Sequence, residues 1–266
     1  MNWLARASRE MVRLGQPLVP RYPGGVTILT YHLVGGGTSS VVDLPLDVFR
    51  RQLSELRDVA DVLSLDAAVR RLERGTATAR PSVVITFDDG FDNFRTHAWP
   101  LLKATAMPCT FFVPVGFVEG HATTPLRGVH DLNPISWSAL RDLAADPLVT
   151  IGSHSWCHRD LRSLDTDVLR SDLRRSRDRL QECTGRAIEH FCYPQAKFSR
   201  AVETEVASLY RTAVISGGRT NFCGRFHPLR LGRIPLRRDM PARLHAVVGS
   251  TVWLEELAAS YARALT

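Results

Sequence analysis

Short apolar runs alternate with helix-period segments along most of the chain. "VTILTY" (26–31), "SVVITF" (82–87), "CTFFVPV" (109–115), "LVTIGSH" (148–154), "EHFCYP" (189–194), "RTAVIS" (211–216) and "RLGRIPL" (230–236) have the length and the β-branched or aromatic content of buried strands. Helices are expected from about Asp47, through "NFRTHAWPLLKATA" (93–106), from about Ser136, from about Asp165 to the stop signal Gly185, near Arg200 and at the C-terminus. Strand, helix, strand in this order is α/β grammar. No internal repeat, low-complexity segment or Gly/Ser linker interrupts it, so one domain over residues 26–266 is expected, preceded by a basic amphipathic extension, 1–25. The least regular stretch, 116–134, is expected to be a long surface loop, and such loops in compact domains are usually functional or mobile.

Six or more parallel strands closing into a barrel would gather their C-terminal ends on one face, where catalytic groups sit in such barrels. That face would carry Tyr31-His32, Asp88-Asp89, His154, Tyr193-Pro194 and Arg233. The second of these poses a problem. In "VVITFDDGFDNF" (83–94) a hydrophobic strand finishes on two adjacent carboxylates, which repel each other at the mouth of a core unless a cation or a proton intervenes.

Composition narrows the options. A 266-residue chain with 44% hydrophobic residues can bury a sizeable core. No apolar stretch approaches the about 20 residues that span a bilayer. The segment "MNWLARASREMVRLGQPLVP" is broken by Arg6, Arg9, Glu10 and Arg13 and lacks the apolar centre of a secretory signal, although an amphipathic helix resting on a membrane surface fits it. Cys109, Cys157, Cys183, Cys192 and Cys223 form no CxxC and no even framework, which points away from disulfides and thiolate zinc. Together these features predict a cytoplasmic protein. The net charge of +7 is spread over 34 basic residues, all arginine except Lys103 and Lys197. In the densest run, "LRSDLRRSRDRL" (169–180), Leu169, Leu173 and Leu180 share one helical face, so the arginines read as a solvated surface and no nucleic-acid partner is expected.

The missing cation has a candidate site. In "LVTIGSHSWCHRDL", His154 and His158 stand four apart after a strand, a spacing that lets two imidazoles face one point from a helical turn. Two histidines and one carboxylate leave coordination positions open for water and substrate, as a hydrolytic metal requires.

On these residues the chain resembles the polysaccharide deacetylases of carbohydrate esterase family 4, from about "ILTYH" to "RIPL". The family's T-F-D-D-G motif stands complete as Thr86 to Gly90, and its H-[ST]-x-x-H motif as His154 to His158. "MPCTFFV" and "ISWSALRDLAADPLVTIGSH" resemble the segments leading to the second motif. The resemblance implies a distorted (β/α) barrel that removes acetyl groups from sugars. It assigns Asp89, His154 and His158 to one divalent metal and Asp88 to the general base. Zinc is the default ion for that ligand set, and cobalt, nickel or iron fits it too.

The later motifs depart from the family. In "FCYPQAKF" (191–198) Cys192 stands where an arginine is usual and Gln195 where a tyrosine is. The Gln195 backbone N–H, the family's oxyanion donor, survives any side-chain change. Arg233 is the candidate to replace the lost cation, against the alternative of a helix-facing or surface arginine. No match to the fourth or fifth motif is found, and His227 and His245 lack the fifth motif's spacing. His32 is the substitute candidate for the general acid, against a histidine bonded to a neighbouring loop. Cys157 is expected to be a packed thiol on the far side of a helical turn. The expected activity is N-deacetylation of an amino sugar in a glycan or glycolipid, with an O-acetyl esterase or a catalytically silent glycan-binding homologue as alternatives.

Overall fold

The computed structural model describes residues 25–75, 80–121, 126, 129, 132–217, 220–239, 244 and 248. The basic extension before residue 25, the C-terminal helix and His245 lie outside the described residues. The strands are β1 (Gly25–Tyr31), β2 (Leu33–Val34), β3 (Asp43–Leu44), β4 (Asp61–Val62), β5 (Ser82–Phe87), β6 (Cys109–Val113), β7 (Val149–Ser153), β8 (His190–Cys192), β9 (Thr212–Ser216), β10 (Asn221–Phe222) and β11 (Leu231–Pro235). Seven of them close a parallel ring in the order β1, β5, β6, β7, β8, β9, β11 and back to β1. This is the distorted (β/α) barrel that the sequence pattern and the resemblance led us to expect, as a single domain. The weak seam is β7 against β8, where Ser153 and Phe191 are the one registered pair. Among the described residues no helix is long and apolar enough to cross a membrane.

Alternation along each strand sorts side chains into two sets. Val26, Ile28, Val84, Phe112, Cys192, Val214 and Leu231 pack together inside the ring. Leu29, Tyr31, Val83, Ile85, Phe87, Phe111 and Phe191 face the surrounding helices. The lumen is narrow enough that Gly152 of β7 is obligatory, since a Cβ there would lie 2.4 Å from the Phe112 ring.

The helices are α1 (Leu46–Val59), α2 (Leu65–Arg74), α3 (Trp99–Ala104), α4 (Val115–Val118), α5 (Trp137–Ala145), α6 (Thr166–Thr184) and α7 (Arg200–Ala207). Sequence reading overlooked α2, whose Leu65, Ala68, Val69 and Leu72 join the lumen cluster and plug the N-terminal end of the barrel. Its signals were present: Ser64 accepts the Ala67 N–H as an N-cap, and Gly75 ends the helix at φ 66°. The expected helix over 93–106 divides into a π-helical turn, Phe94–Ala98, followed by α3. Pro100 lacks the N–H that a continuous helix would send back to Thr96, and the widened turn accommodates it. In α6 the arginines do form a solvated face, tied by pairs such as Arg170 to Glu205 at 2.9 Å and Arg179 to Glu119 at 2.8 Å. The stretch 116–134 is more than a surface loop, because Phe117 and Val129 are buried with Leu33 and Phe91 in an apolar cluster of their own.

Candidate active site

The Asp-Asp-Gly sequence is a way of turning a strand end into two diverging carboxylates. Asp88 continues the β5 ladder, its N–H donating to the Tyr31 carbonyl at 3.0 Å, and its side chain points into the lumen. Asp89 then enters the left-handed region at φ 73°, a conformation a side chain adopts only under constraint. Gly90 follows at φ 69°, pressed so closely on β6 that a Cβ would lie 3.1 Å from Pro114. The two acids thereby face different partners.

Asp89 faces the histidines. Its Oδ1 lies 3.5 Å from His154 Nε2 and 3.4 Å from His158 Nε2, and the two imidazole nitrogens are 3.2 Å apart. His154 Nδ1 lies 2.8 Å from the Cys192 carbonyl, which makes Nδ1 the protonated nitrogen and leaves Nε2 as a lone pair. The second carboxylate oxygen of Asp89 is buried and has no hydrogen-bond partner among the described residues. Three ligand atoms converging on one point, with an orphaned anion among them, suit a divalent cation. Burial disfavours charge on both rings, yet the neighbouring thiol and carboxylates raise the His154 pKa, while burial and His154 itself hold His158 down to about 4.

The histidines do not converge from a helical turn, contrary to expectation. Residues 154–158 form an irregular loop in which Ser155 (φ 64°) and His158 (φ 52°) both adopt left-handed conformations, and Ser155 Oγ accepts the His158 N–H at 3.0 Å. A spacing of four serves a closed loop as well as a helix. Cys157 lines an outer cavity and is a partly buried thiol packed against the core, as expected, though it is carried by a loop and not by a helical turn.

Asp88 faces Arg233. The guanidinium donates to Asp88 Oδ1 at 2.8 Å and to Oδ2 at 2.7 Å, a bidentate pair in which both side chains are almost wholly buried. Burial pushes the Asp88 carboxyl up, but the Arg233 charge and hydrogen bonds override it and hold the group well below the usual carboxylate range. Arg233 is neither a surface residue nor at a strand end: it sits mid-strand in β11, opposite Ile28 and Ser216. Thr86 accepts a further bond from Nη1 at 3.0 Å and donates to the Leu29 carbonyl at 2.8 Å, a support that sequence reading missed. Cys192 lies against the same guanidinium, its Sγ 3.0 Å from Nη2 and 3.5 Å from Asp88 Oδ2. A small residue at 192 leaves the space that the Arg233 side chain fills.

Of the remaining candidates, His32 follows β1 at the barrel mouth, close to both aspartates, and its Nδ1 is buried with no hydrogen-bond partner among the described residues. Gln195 is left-handed at φ 57°, directly after Pro194, and its exposed side chain accepts from Lys197 at 2.9 Å. His227 is exposed and accepts the Leu229 N–H, remote in role from the site.

Comparison with known proteins follows the same lines. The family model described as polysaccharide deacetylase matches residues 75–214. The poly-beta-1,6-N-acetyl-D-glucosamine N-deacetylase of Escherichia coli strain K12 is 31% identical over 113 residues, which cover 40% of this chain and 17% of that protein's length. Among solved structures, IcaB from Ammonifex degensii superposes with a TM-score of 0.70 at 22% identity, covering 86% of this chain and 97% of that one. Streptococcus pyogenes deacetylase PplD, solved in complex with acetate, gives a TM-score of 0.69 at 21% identity over 83% and 96% of the two chains.

Proposed function

Since this chain belongs to the polysaccharide deacetylase family, we propose that it hydrolyses an N-acetyl group from an amino sugar of a glycan or glycoconjugate, using one divalent cation held by Asp89, His154 and His158. The observation that carries the reading is Asp88. It is an ionised, buried carboxylate next to the triad but outside it, oriented by its own arginine. A protein that only binds glycans has no use for such a group, which argues against the catalytically silent alternative.

A divalent cation at the triad would acidify a water toward neutrality and polarise the acetyl carbonyl. Asp88 accepts the proton of the attacking water. Arg233 keeps Asp88 ionised at neutral pH and, by the same charge, makes it a weak base, so the proton transfer depends on that acidification. The Gln195 N–H is the donor to the oxygen that becomes negative, in a left-handed turn whose backbone direction owes nothing to the side chain. His32, with one ring nitrogen unpartnered among the described residues, returns a proton to the leaving amine. Zinc is the expected ion, with cobalt, nickel and iron compatible with the same donors.

The test is acetate release by purified protein of measured metal content. The panel contains N-acetylglucosamine oligomers, including β-1,6-linked ones because the Escherichia coli relative is named for that polymer, and O-acetylated glycans. Release from the N-acetylated members, abolished by His158→Ala, is the expected result. Preference for the O-acetylated members would make the protein an esterase, and metal uptake without any release would make it a binder.

A further inference from the structure

The loop that carries both histidines is open on one flank. On the side away from the triad a cavity of about 370 Å³ opens between the loop and the first turns of α6, bounded by Trp156, Cys157, Leu164, Val168 and Arg175. Two left-handed residues in five, without a packed wall on that flank, require polar restraint. Ser155 Oγ, bonded to the His158 N–H, ties the loop only to itself. The N–H groups of Val115 and Gly116 fix the carbonyls of Ser155 and Trp156 at 3.2 and 2.7 Å. The amides between the two histidines are fixed by a side chain from elsewhere. Asp172 Oδ1 accepts the Trp156 N–H at 2.9 Å, and Oδ2 accepts the Cys157 N–H at 3.3 Å.

Asp172 stands on a well-anchored part of α6. Leu169 and Leu173 are buried on either side of it, the Ser176 hydroxyl meets the Ser153 hydroxyl of β7 at 2.8 Å, and Tyr210 donates to the Leu173 carbonyl at 3.0 Å. The Trp156 indole is clamped between the Gly116 backbone and the Arg175 guanidinium, 4.0 Å from the ring centroid. Beside the backbone bonds from Val115 and Gly116, the frame of the barrel therefore reaches the Trp156 and Cys157 amides through one carboxylate.

We propose that Asp172 is a positioning residue for the candidate cation site: by holding the Trp156 and Cys157 amides it sets where His158 Nε2 lies relative to Asp89 and His154. It touches neither the cation nor the substrate. The inference rests on the metal-site reading above. Both carboxylate oxygens are in use as acceptors, so an asparagine, nearly identical in shape, would keep one acceptor and turn an NH2 donor toward the other amide, donor against donor.

The experiment titrates wild-type protein, Asp172→Asn, Asp172→Ala and a His158→Ala control with Co²⁺. The d–d absorption band is followed, with a competing chelator to fix affinity and far-UV circular dichroism to report folding. Wild type should take up one equivalent. Asp172→Asn should keep the wild-type circular dichroism, bind Co²⁺ about 10–100-fold more weakly and show an altered band, because the histidines no longer meet at the same point. A folded Asp172→Asn with wild-type affinity and spectrum overturns the proposal. Failure of both Asp172 variants to fold also overturns it, since the carboxylate would then be a requirement of the fold and not of the site. If wild type itself binds no Co²⁺, the metal-site reading fails and the proposal with it, an outcome distinct from the other two.

Discussion

Replacing Arg233 by methionine removes the charge and the donors while keeping much of the volume, and leaves Asp88 alone in the barrel. The side chains of the pair are 2% and 4% exposed, so solvent does not take over. Breaking a buried pair by removing one partner costs about 3–5 kcal/mol, and the lost bonds to Thr86 and Cys192 belong to the same cluster. The pH dependence follows from the sign of the shift. In the wild type the folded Asp88 pKa lies below its unfolded value, so the pair contributes stability above the unfolded pKa, and that contribution is lost as pH falls through the folded one. Without Arg233, burial is the largest remaining influence and raises the pKa, so the folded variant is least penalised where Asp88 is protonated. Urea unfolding in the presence of a chelator should therefore show a gap between wild type and Arg233→Met that is full at about pH 8 and shrinks on acidification to about pH 5. In the metal-loaded protein the acid limb of the rate profile should move to higher pH. A gap below about 1 kcal/mol, the value of an exposed pair, or a gap that does not change with pH, would refute the account.

Asp88→Asn should retain the cation while the rate of acetate release falls by about 10²–10⁴-fold, the worth of general-base catalysis; loss of the metal would instead make Asp88 a ligand. Cys192→Arg should destabilise the wild type by crowding the Arg233 guanidinium, now 3.0 Å from Cys192 Sγ, but should raise stability and activity when added to Arg233→Met. If the double variant is no better than Arg233→Met, the two positions do not share one guanidinium slot. Gly152→Ala would bring a methyl to 2.4 Å from the Phe112 ring, so its urea midpoint should drop by the about 1–3 kcal/mol of an overpacked core; an unchanged midpoint would show that the lumen can yield.

The sequence by itself determined the parts of this protein that are local. Buried strands read as apolar runs because both faces of a barrel strand are covered. Asp88, Asp89, His154 and His158 were legible because each pair lies within five consecutive residues directly after such a run, where chain direction alone brings it to the barrel mouth. What crosses the ring was not legible. Arg233 and Asp88 are 145 residues apart, and they meet only because β11 joins β1, β1 joins β5, and the register sets Arg233 beside Ile28 and below the rim. The conformation of the histidine loop was likewise undecided by its spacing, since four residues separate the imidazoles equally well in a helical turn and in a loop kinked at Ser155 and His158. Asp172 had no signal at all, being one acid in an arginine-rich helix until the packing of α6 on β7 turned it toward two backbone amides. Motifs record the groups that must be neighbours in the chain, whereas strand register and helix docking choose the groups that orient them. Closure of the ring brings Arg233 to Asp88, and docking of α6 on β7 brings Asp172 to the histidine loop.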